Sequence, residues 1–429
     1  MRVPVAMHSV PRAEPIRVLR LTPHFHRDGS LPVAFDPVGG LQIQTWTIAA
    51  ALDGPGIEQT VATSFIPGSP RRFRLGRSID VRAVGPRIPG VFAGSLLSFG
   101  WFLGVIGLLV RERGSYDLVH IHFNHSVWCR VLAFILGIAG PPVVVSLNTA
   151  LWGGLQRLLR LEGSPFDVTL WIERLALRRA DRVVGLTARA TGDAGRILGV
   201  GHDRLRTVSD AVHADEFLVR TGAEHRRVFS QRYGVPDSGR TVVYVGRISP
   251  EKGWRDLPFL ARALAGGNAF LLVCGDGPDR SRLEAALRRQ CPEGNWAVTG
   301  FLPRQDIRTA MQIADALVLP SRREAFGSVL LEAMASGLPA VAYAVGGIPE
   351  VAGDPPAICL VPPGYRDALI RQVLAILDDP VISQRAIIRG HQRVRAFSVA
   401  RSAAATAALY GEILQAHDRT VAADTFATT

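Results

Sequence analysis

The sequence predicts an α/β protein made of two doubly wound, parallel-sheet domains that face a central cleft. Short apolar runs alternate with stretches of helical periodicity along the chain, the order that produces parallel sheets. At 429 residues the chain is long for a single core. A polar, turn-rich stretch from about Ser209 to Arg240 separates two such series and reads as an interdomain connection.

The first series of strand signals is Ile16–Leu21, Gln59–Thr63, Ile79–Val84, Leu118–His122, Val143–Leu147, Val183–Leu186 and Leu205–Val208. Helical segments such as Leu41–Leu52 and Ile172–Arg179 lie between them. The second series is Thr241–Val245, Phe270–Cys274, Ala297–Thr299, Ala316–Leu319 and Ala340–Tyr343. Ligands bind such sheets at the C-terminal strand ends, which makes a cleft between the domains the expected site. Val91–Val110 is 20 residues without a charge, long enough for a membrane span. Its glycines, Gly94, Gly100, Gly104 and Gly107, and its place between two strands favour a buried or membrane-brushing helix.

A hydrophobic content of 48% with 20% charged residues describes a folded globular protein. The net charge of +12 predicts attraction to anions such as nucleotides and anionic lipid. With no RNA-recognition signature, helical basic region or zinc-finger spacing, nucleic acid is not an expected partner. The four cysteines form no C-x-x-C pair, which argues against a disulfide framework or zinc site and fits a reducing cytosol. Met1–Glu14 lacks the apolar run of a secretion signal. The expected location is cytoplasmic. Contact with the inner face of the membrane is an alternative, because Arg71, Arg72, Arg74, Arg77 and Arg82 precede the apolar 91–110 segment.

Only one of the 49 basic residues is a lysine, Lys252, in the loop Gly246-Arg247-Ile248-Ser249-Pro250-Glu251-Lys252-Gly253 that follows an apolar strand. Arginine suits planar bidentate pairing, whereas lysine is a compact, flexible charge that can follow a phosphate. The loop reads as a diphosphate clamp, although codon bias alone would also leave a lone lysine on a surface. Downstream, Glu324 and Glu332 flank the start of a helix near Gly327, whose free N–H groups can hold polar oxygens. Glu324, before the helix, can accept hydrogen bonds from a sugar, and Glu332, in the second turn, from a ribose diol. In the first domain Gly39-Gly40 ends a loop and opens a helix, where glycine lets the backbone approach a phosphate or sugar. His120 and His122 share one strand face. With no carboxylate or cysteine at suitable spacing they read as structural or substrate-contacting residues, not metal ligands.

Taken in order, Gly246-Arg247, Lys252-Gly253, Gly275-Asp276-Gly277-Pro278, Gly300-Phe301, Glu324 to Glu332 and Gly346-Gly347 resemble the retaining glycosyltransferases of family 4, which have the two-Rossmann GT-B fold. The resemblance implies that Arg247 and Lys252 stabilise the departing nucleotide diphosphate and that Glu324 orients the donor sugar. It also implies that Gly39, Gly40, Phe326, Gly327, Ser328, Val329 and Glu332 bind the nucleotide-sugar donor. No cofactor or metal is demanded, since the cations take a metal's part. Where the family usually has a histidine after the 143–147 strand, this chain has Asn148. An amide can hydrogen-bond a sugar hydroxyl but cannot be a general base. His120, His122 and Asn148 are therefore candidate contacts to acceptor or sugar. A front-face mechanism, in which the leaving phosphate oxygen takes the acceptor's proton, tolerates the change.

Within that family, Arg17–His26, Phe35–Gln44, Glu251–Asp256, Gly300–Pro303 and Ala342–Gly347 resemble the 2-deoxystreptamine N-acetylglucosaminyltransferases of aminoglycoside pathways. This implies UDP-N-acetylglucosamine, or UDP-glucose, as donor and an aminocyclitol or other small molecule as acceptor in antibiotic biosynthesis. A chain at +12 does not attract a cationic cyclitol at long range, so a neutral or acidic acceptor fits its charge better. Two alternatives accompany this reading: a peripheral membrane enzyme acting on lipid-linked glycans, and a nucleotide-sugar-binding protein without catalysis. The expected division is an acceptor-binding domain over 15–215 and a donor-binding domain over 216–395. A helix over 396–417 packing on the first domain and a frayed tail over 418–429 complete it.

Overall fold

The computed structural model describes residues 14–23, 25, 40–64, 70–85, 93–123, 127–148, 168–291 and 294–427. They divide into two compact units, one built from residues up to Asp210 together with those from Val399 onward, the other from Ala211 to Ser398.

The first unit holds eight strands: β1 (Ile16–Leu21), β2 (Ile57–Ser64), β3 (Arg72–Leu75), β4 (Ile79–Val84), β5 (Leu118–Phe123), β6 (Val143–Leu147), β7 (Arg182–Gly185) and β8 (Leu205–Thr207). Their order is β3-β4-β2-β1-β5-β6-β7-β8, and every pairing is parallel except β3 with β4. β3 is too short and too basic to stand out as a strand in the sequence. It forms because the turn before β4 is fixed: the Asp53 carboxylate accepts from the backbone N–H groups of Arg77 (2.8 Å) and Ser78 (2.7 Å). Arg72 and Arg82 then both pair with Asp80 at 2.7 Å, so two members of the expected basic cluster are neutralised within the sheet. The uncharged 91–110 segment gives a helix over Ala93–Arg111 that buries Trp101, whose indole donates to the Ala62 carbonyl at 3.2 Å. Among the described residues no helix is long and apolar enough to cross a membrane.

The second unit has six strands, all parallel: β9 (Arg240–Val245), β10 (Ala269–Cys274), β11 (Trp296–Gly300), β12 (Ala316–Leu319), β13 (Ala340–Tyr343) and β14 (Cys359–Val361). Their order, β11-β10-β9-β12-β13-β14, is that of a dinucleotide-binding sheet, with the direction of winding reversed between β9 and β12. The loops after β9 and β12 therefore flank one crevice. β14, with three residues, is too short to carry a pattern in the sequence.

Two sequence expectations need correction. The Ser209–Arg240 stretch is not a bare connection. It contains helices over Ala214–Leu218 and Ala223–Tyr233, held to the second unit by the buried rings of Phe217 and Phe229, and the division between units falls at 210/211. The segment beyond residue 417 is not irregular in the structure but continues one helix over Val399–Ala427. Alanine, the best helix former, supplies much of it. A stripe at helical spacing, including Ala403, Thr406, Tyr410 and Ile413, is buried against the first unit. Ser402 Oγ donates to the Ser209 carbonyl at 2.9 Å, and Glu412 pairs with Arg182 at 2.8 Å and with Arg206.

Candidate functional site

In the second unit, the loops after β9, β12 and β13 are knitted together by backbone. The N–H groups of Arg322 and Arg323 donate to the Glu251 carbonyl at 2.8 and 3.2 Å, and Gly347 donates to the Glu324 carbonyl at 3.3 Å. Two glycines make the close approach possible. A Cβ on Gly253 (φ +73°) would lie 1.7 Å from the Pro320 carbonyl oxygen, and one on Gly346 (φ +54°) 1.7 Å from the Glu324 carbonyl oxygen. No side chain fits either position.

This packing brings Lys252 and Glu324 together across 72 residues, with Nζ 2.7 Å from Oε2. Ser321 Oγ donates to the same carboxylate oxygen at 3.2 Å. Lys252 is part-exposed at 27% and Glu324 at 12%, so the pair lies at the rim of the crevice and not in the core. Arg247 is exposed in the loop after β9, and its carbonyl accepts from the Tyr244 hydroxyl at 2.8 Å.

The helix after Glu324 runs over Ser328–Ser336, with Gly327, which has no side chain to cap it, at its N-terminus in the left-handed region (φ +91°). The expected N-terminus is thus present, with Ser328 and Val329 in its first turn. Phe326 is placed differently from expectation: its ring is buried edge-on against Phe397 at 5.6 Å, leaving only backbone to meet a ligand. Glu332 has partners other than those of Glu324. Its carboxylate accepts from Arg304 at 3.0 Å, and Arg304 also donates to Glu216 at 2.8 Å. Burial raises the Glu332 carboxyl above its ordinary range, against the pull of Arg304. Nothing in the sequence marked Arg304 or Glu216 as its partners.

In the first unit, Gly40 opens the helix over Gly40–Ala51, whereas Gly39 lies outside the described residues. His120 and His122 share one face of β5, their rings stacked 4.2 Å apart. His120 is fully engaged: Nδ1 is 2.7 Å from the Tyr410 hydroxyl and Nε2 is 2.7 Å from Ser146 Oγ. It belongs to the interior network and has no ring nitrogen left for a sugar. His122 and Asn148 line a concavity beneath the C-terminal helix, and Asn148 Nδ2 donates to Gln44 Oε1. The sequence did not mark this network: β1 carries two arginines, and only the fold shows that Arg17 is exposed while Arg20 is buried.

Burial, then the Arg20 charge, lowers His122 to about 3, and burial also lowers His120. Both rings are therefore neutral in the folded chain at pH 7. Unfolding frees them to bind protons below about 6.5, their ordinary value. The His122 contribution is full above that pH and falls as pH drops toward about 3, by up to about 1.4 kcal/mol per pH unit, and His120 adds a loss of the same sign. Urea denaturation of the full chain between pH 7 and 4 is expected to show this slope, and a His122→Phe variant to flatten it.

Comparison with known proteins supplies the family. The Glycosyltransferase Family 4 model matches residues 38–216 and the Glycosyl transferases group 1 model matches residues 225–393. The 2-deoxystreptamine N-acetyl-D-glucosaminyltransferase of Streptomyces fradiae is 35% identical over 370 residues, 83% of this chain and 87% of that protein. The 2-deoxystreptamine glucosyltransferase of Streptomyces kanamyceticus is 32% identical over 350 residues, 79% of this chain and 90% of that protein. Among solved structures, Anabaena HepE in complex with UDP and glucose superposes with a TM-score of 0.65 at 21% identity, covering 95% of this chain and all of that one. Two parallel-sheet units joined in this order are the GT-B fold, and the chain belongs to the glycosyltransferases that join a family 4 N-terminal domain to a group 1 C-terminal domain.

Proposed function

We propose that the chain is a retaining, metal-independent hexosyltransferase that moves N-acetylglucosamine or glucose from UDP to a small cyclitol-type acceptor in aminoglycoside or related secondary metabolism. The relatives from Streptomyces fradiae and Streptomyces kanamyceticus support the acceptor class, and HepE, solved with UDP and glucose, supports the nucleotide. The observation that carries the chemistry is the Lys252–Glu324 pair, held by the loops on either side of the β9/β12 reversal.

A nucleotide diphosphate entering there meets Lys252 and Arg247 and takes over the ammonium from Glu324. One anionic partner replaces another, and the released carboxylate is left to accept hydrogen bonds from the sugar's hydroxyls. As the glycosidic C–O bond breaks, charge grows on the diphosphate oxygen beside two fixed cations, which favours the transition state over the ground state. The leaving oxygen takes the acceptor's proton on the same face, so no general base is needed at Asn148. Ser328 and Val329 offer backbone N–H groups to the diphosphate, and Glu332 turns from Arg304 toward the ribose.

A panel of UDP, dTDP and GDP sugars tests the reading by thermal shift and by hydrolysis, with and without EDTA. UDP-N-acetylglucosamine or UDP-glucose is expected to raise Tm, by an amount equivalent to about 2.7 kcal/mol at a hundredfold excess over Kd, and EDTA to change nothing. A panel in which no UDP sugar binds or turns over refutes it.

A further inference from the structure

The interior of the first unit holds a charge whose hydrogen-bond partners are all neutral. Arg20, near the C-terminal end of β1, is fully buried. Its Nε donates to Gln59 Oε1 at 2.6 Å, and its Nη1 lies 3.4 Å from both His120 Nδ1 and His122 Nε2. The Tyr410 ring stands 5.8 Å from the guanidinium carbon. Nη2 has no hydrogen-bond partner. Arginine keeps its proton even when buried, and a buried cation without a counter-charge is costly. An apolar residue would fill this strand position at no such cost, so packing does not account for Arg20.

What lies beside it does. A small concavity, partly open to solvent, is lined by Arg20, Gln44, His122, Ser146, Asn148 and Thr406, among others. Two further lining atoms, His122 Nδ1 and Asn148 Oδ1, are buried without a hydrogen-bond partner. Because Arg20 donates toward His122 Nε2, that nitrogen is the acceptor and the ring proton sits on Nδ1. The wall therefore presents one permanent cation and a second N–H donor, with an amide oxygen that can accept from a hydroxyl.

We propose that this concavity is an oxyanion subsite: a phosphate or carboxylate group binds at Arg20 and His122, and a hydroxylated ring carrying it hydrogen-bonds Asn148. Where the occupant is the acceptor, a point that rests on the transferase reading above, the enzyme selects an anionic cyclitol or sugar over a cationic diaminocyclitol, which the buried guanidinium repels. The anion supplies the charge that Arg20 lacks, and the ring is held by its anionic group while a free hydroxyl receives the glycosyl residue.

Isothermal titration of the full chain, with UDP present at saturation to occupy the Lys252 loops, tests this with myo-inositol 1-phosphate, glucuronate, inorganic phosphate and uncharged myo-inositol. The cyclitol phosphate is expected to bind at least tenfold more tightly than myo-inositol, and Arg20→Met to erase that advantage while UDP affinity stays within twofold. Thr406→Met, which fills the concavity from the helix side and leaves the Arg20 contacts in place, is expected to do the same. Inorganic phosphate binding as tightly as the cyclitol phosphate, with the same dependence on Arg20, supports the subsite and assigns it to a free anion. Equal affinities for charged and uncharged probes, or an unchanged preference in both variants, overturn it. If UDP binds and the anions do not, the subsite fails alone. If the anions bind through Arg20 and no nucleotide binds, the transferase reading fails alone.

Discussion

Lys252→Ala is expected to lower kcat for glycosyl transfer by about 10²–10³, the scale of losing one preorganised charge donor to a developing anion, with KM for the donor rising less. Lys252 lies 2.7 Å from Glu324, and in the proposed mechanism it meets the diphosphate as a point charge on a flexible stem. The fold is expected to survive, because the pair is part-exposed and such pairs contribute little to stability, and Ser321 remains to hold the Glu324 carboxylate. Lys252→Arg is expected to rescue only part of the loss. A planar guanidinium needs two acceptors in its plane and cannot follow the leaving oxygen as an ammonium does. Single-turnover kinetics on donor and acceptor, beside a thermal melt of each variant, check both statements. Near-full turnover in Lys252→Ala would remove Lys252 from the mechanism.

The sequence signalled this pair because its chemistry is local at each end. A lysine in a chain of arginines and a glutamate before a helix are both visible in one dimension, and the glycines beside them mark where backbone must pass close. The two sheets were legible for the same reason: β10 and β12 are buried along their whole length and read as unbroken apolar runs. What escaped depends on contacts between distant segments. β3 exists through Asp53 and Asp80. The C-terminal helix continues beyond residue 417 to Ala427, where composition alone had suggested fraying. Glu332 was read as a ribose contact from its helix position and the family resemblance, whereas its pairing with Arg304, which also donates to Glu216, arises only when three separate segments fold together. Phe326 sat inside a functional motif and proved to be a core ring, since motif spacing says nothing about which way a side chain turns.

Gly346→Ala is expected to disable the site from a distance of one backbone contact. At φ +54° the alanine is strained wherever it lies, and its Cβ would stand 1.7 Å from the Glu324 carbonyl oxygen, with backbone and not a flexible side-chain end as the obstacle. The chain must move at Gly346, at Glu324 or at both. The Glu324 carbonyl also accepts from Gly347, so the segment that carries the carboxylate loses its anchor. A displacement of about 1 Å at a positioning group costs on the order of a hundredfold in rate, and overpacking of this kind costs about 1–3 kcal/mol in stability. The variant is therefore expected to fold with a lowered Tm, to bind UDP nearly as wild type through Lys252 and Arg247, and to lose about a hundredfold in kcat because the sugar is no longer held by Glu324. That separation is the informative part. If UDP affinity falls in parallel with kcat, the loop after β13 supports the whole diphosphate site. If both survive, Glu324 does not orient the donor sugar, and its ion pair with Lys252 is structural only.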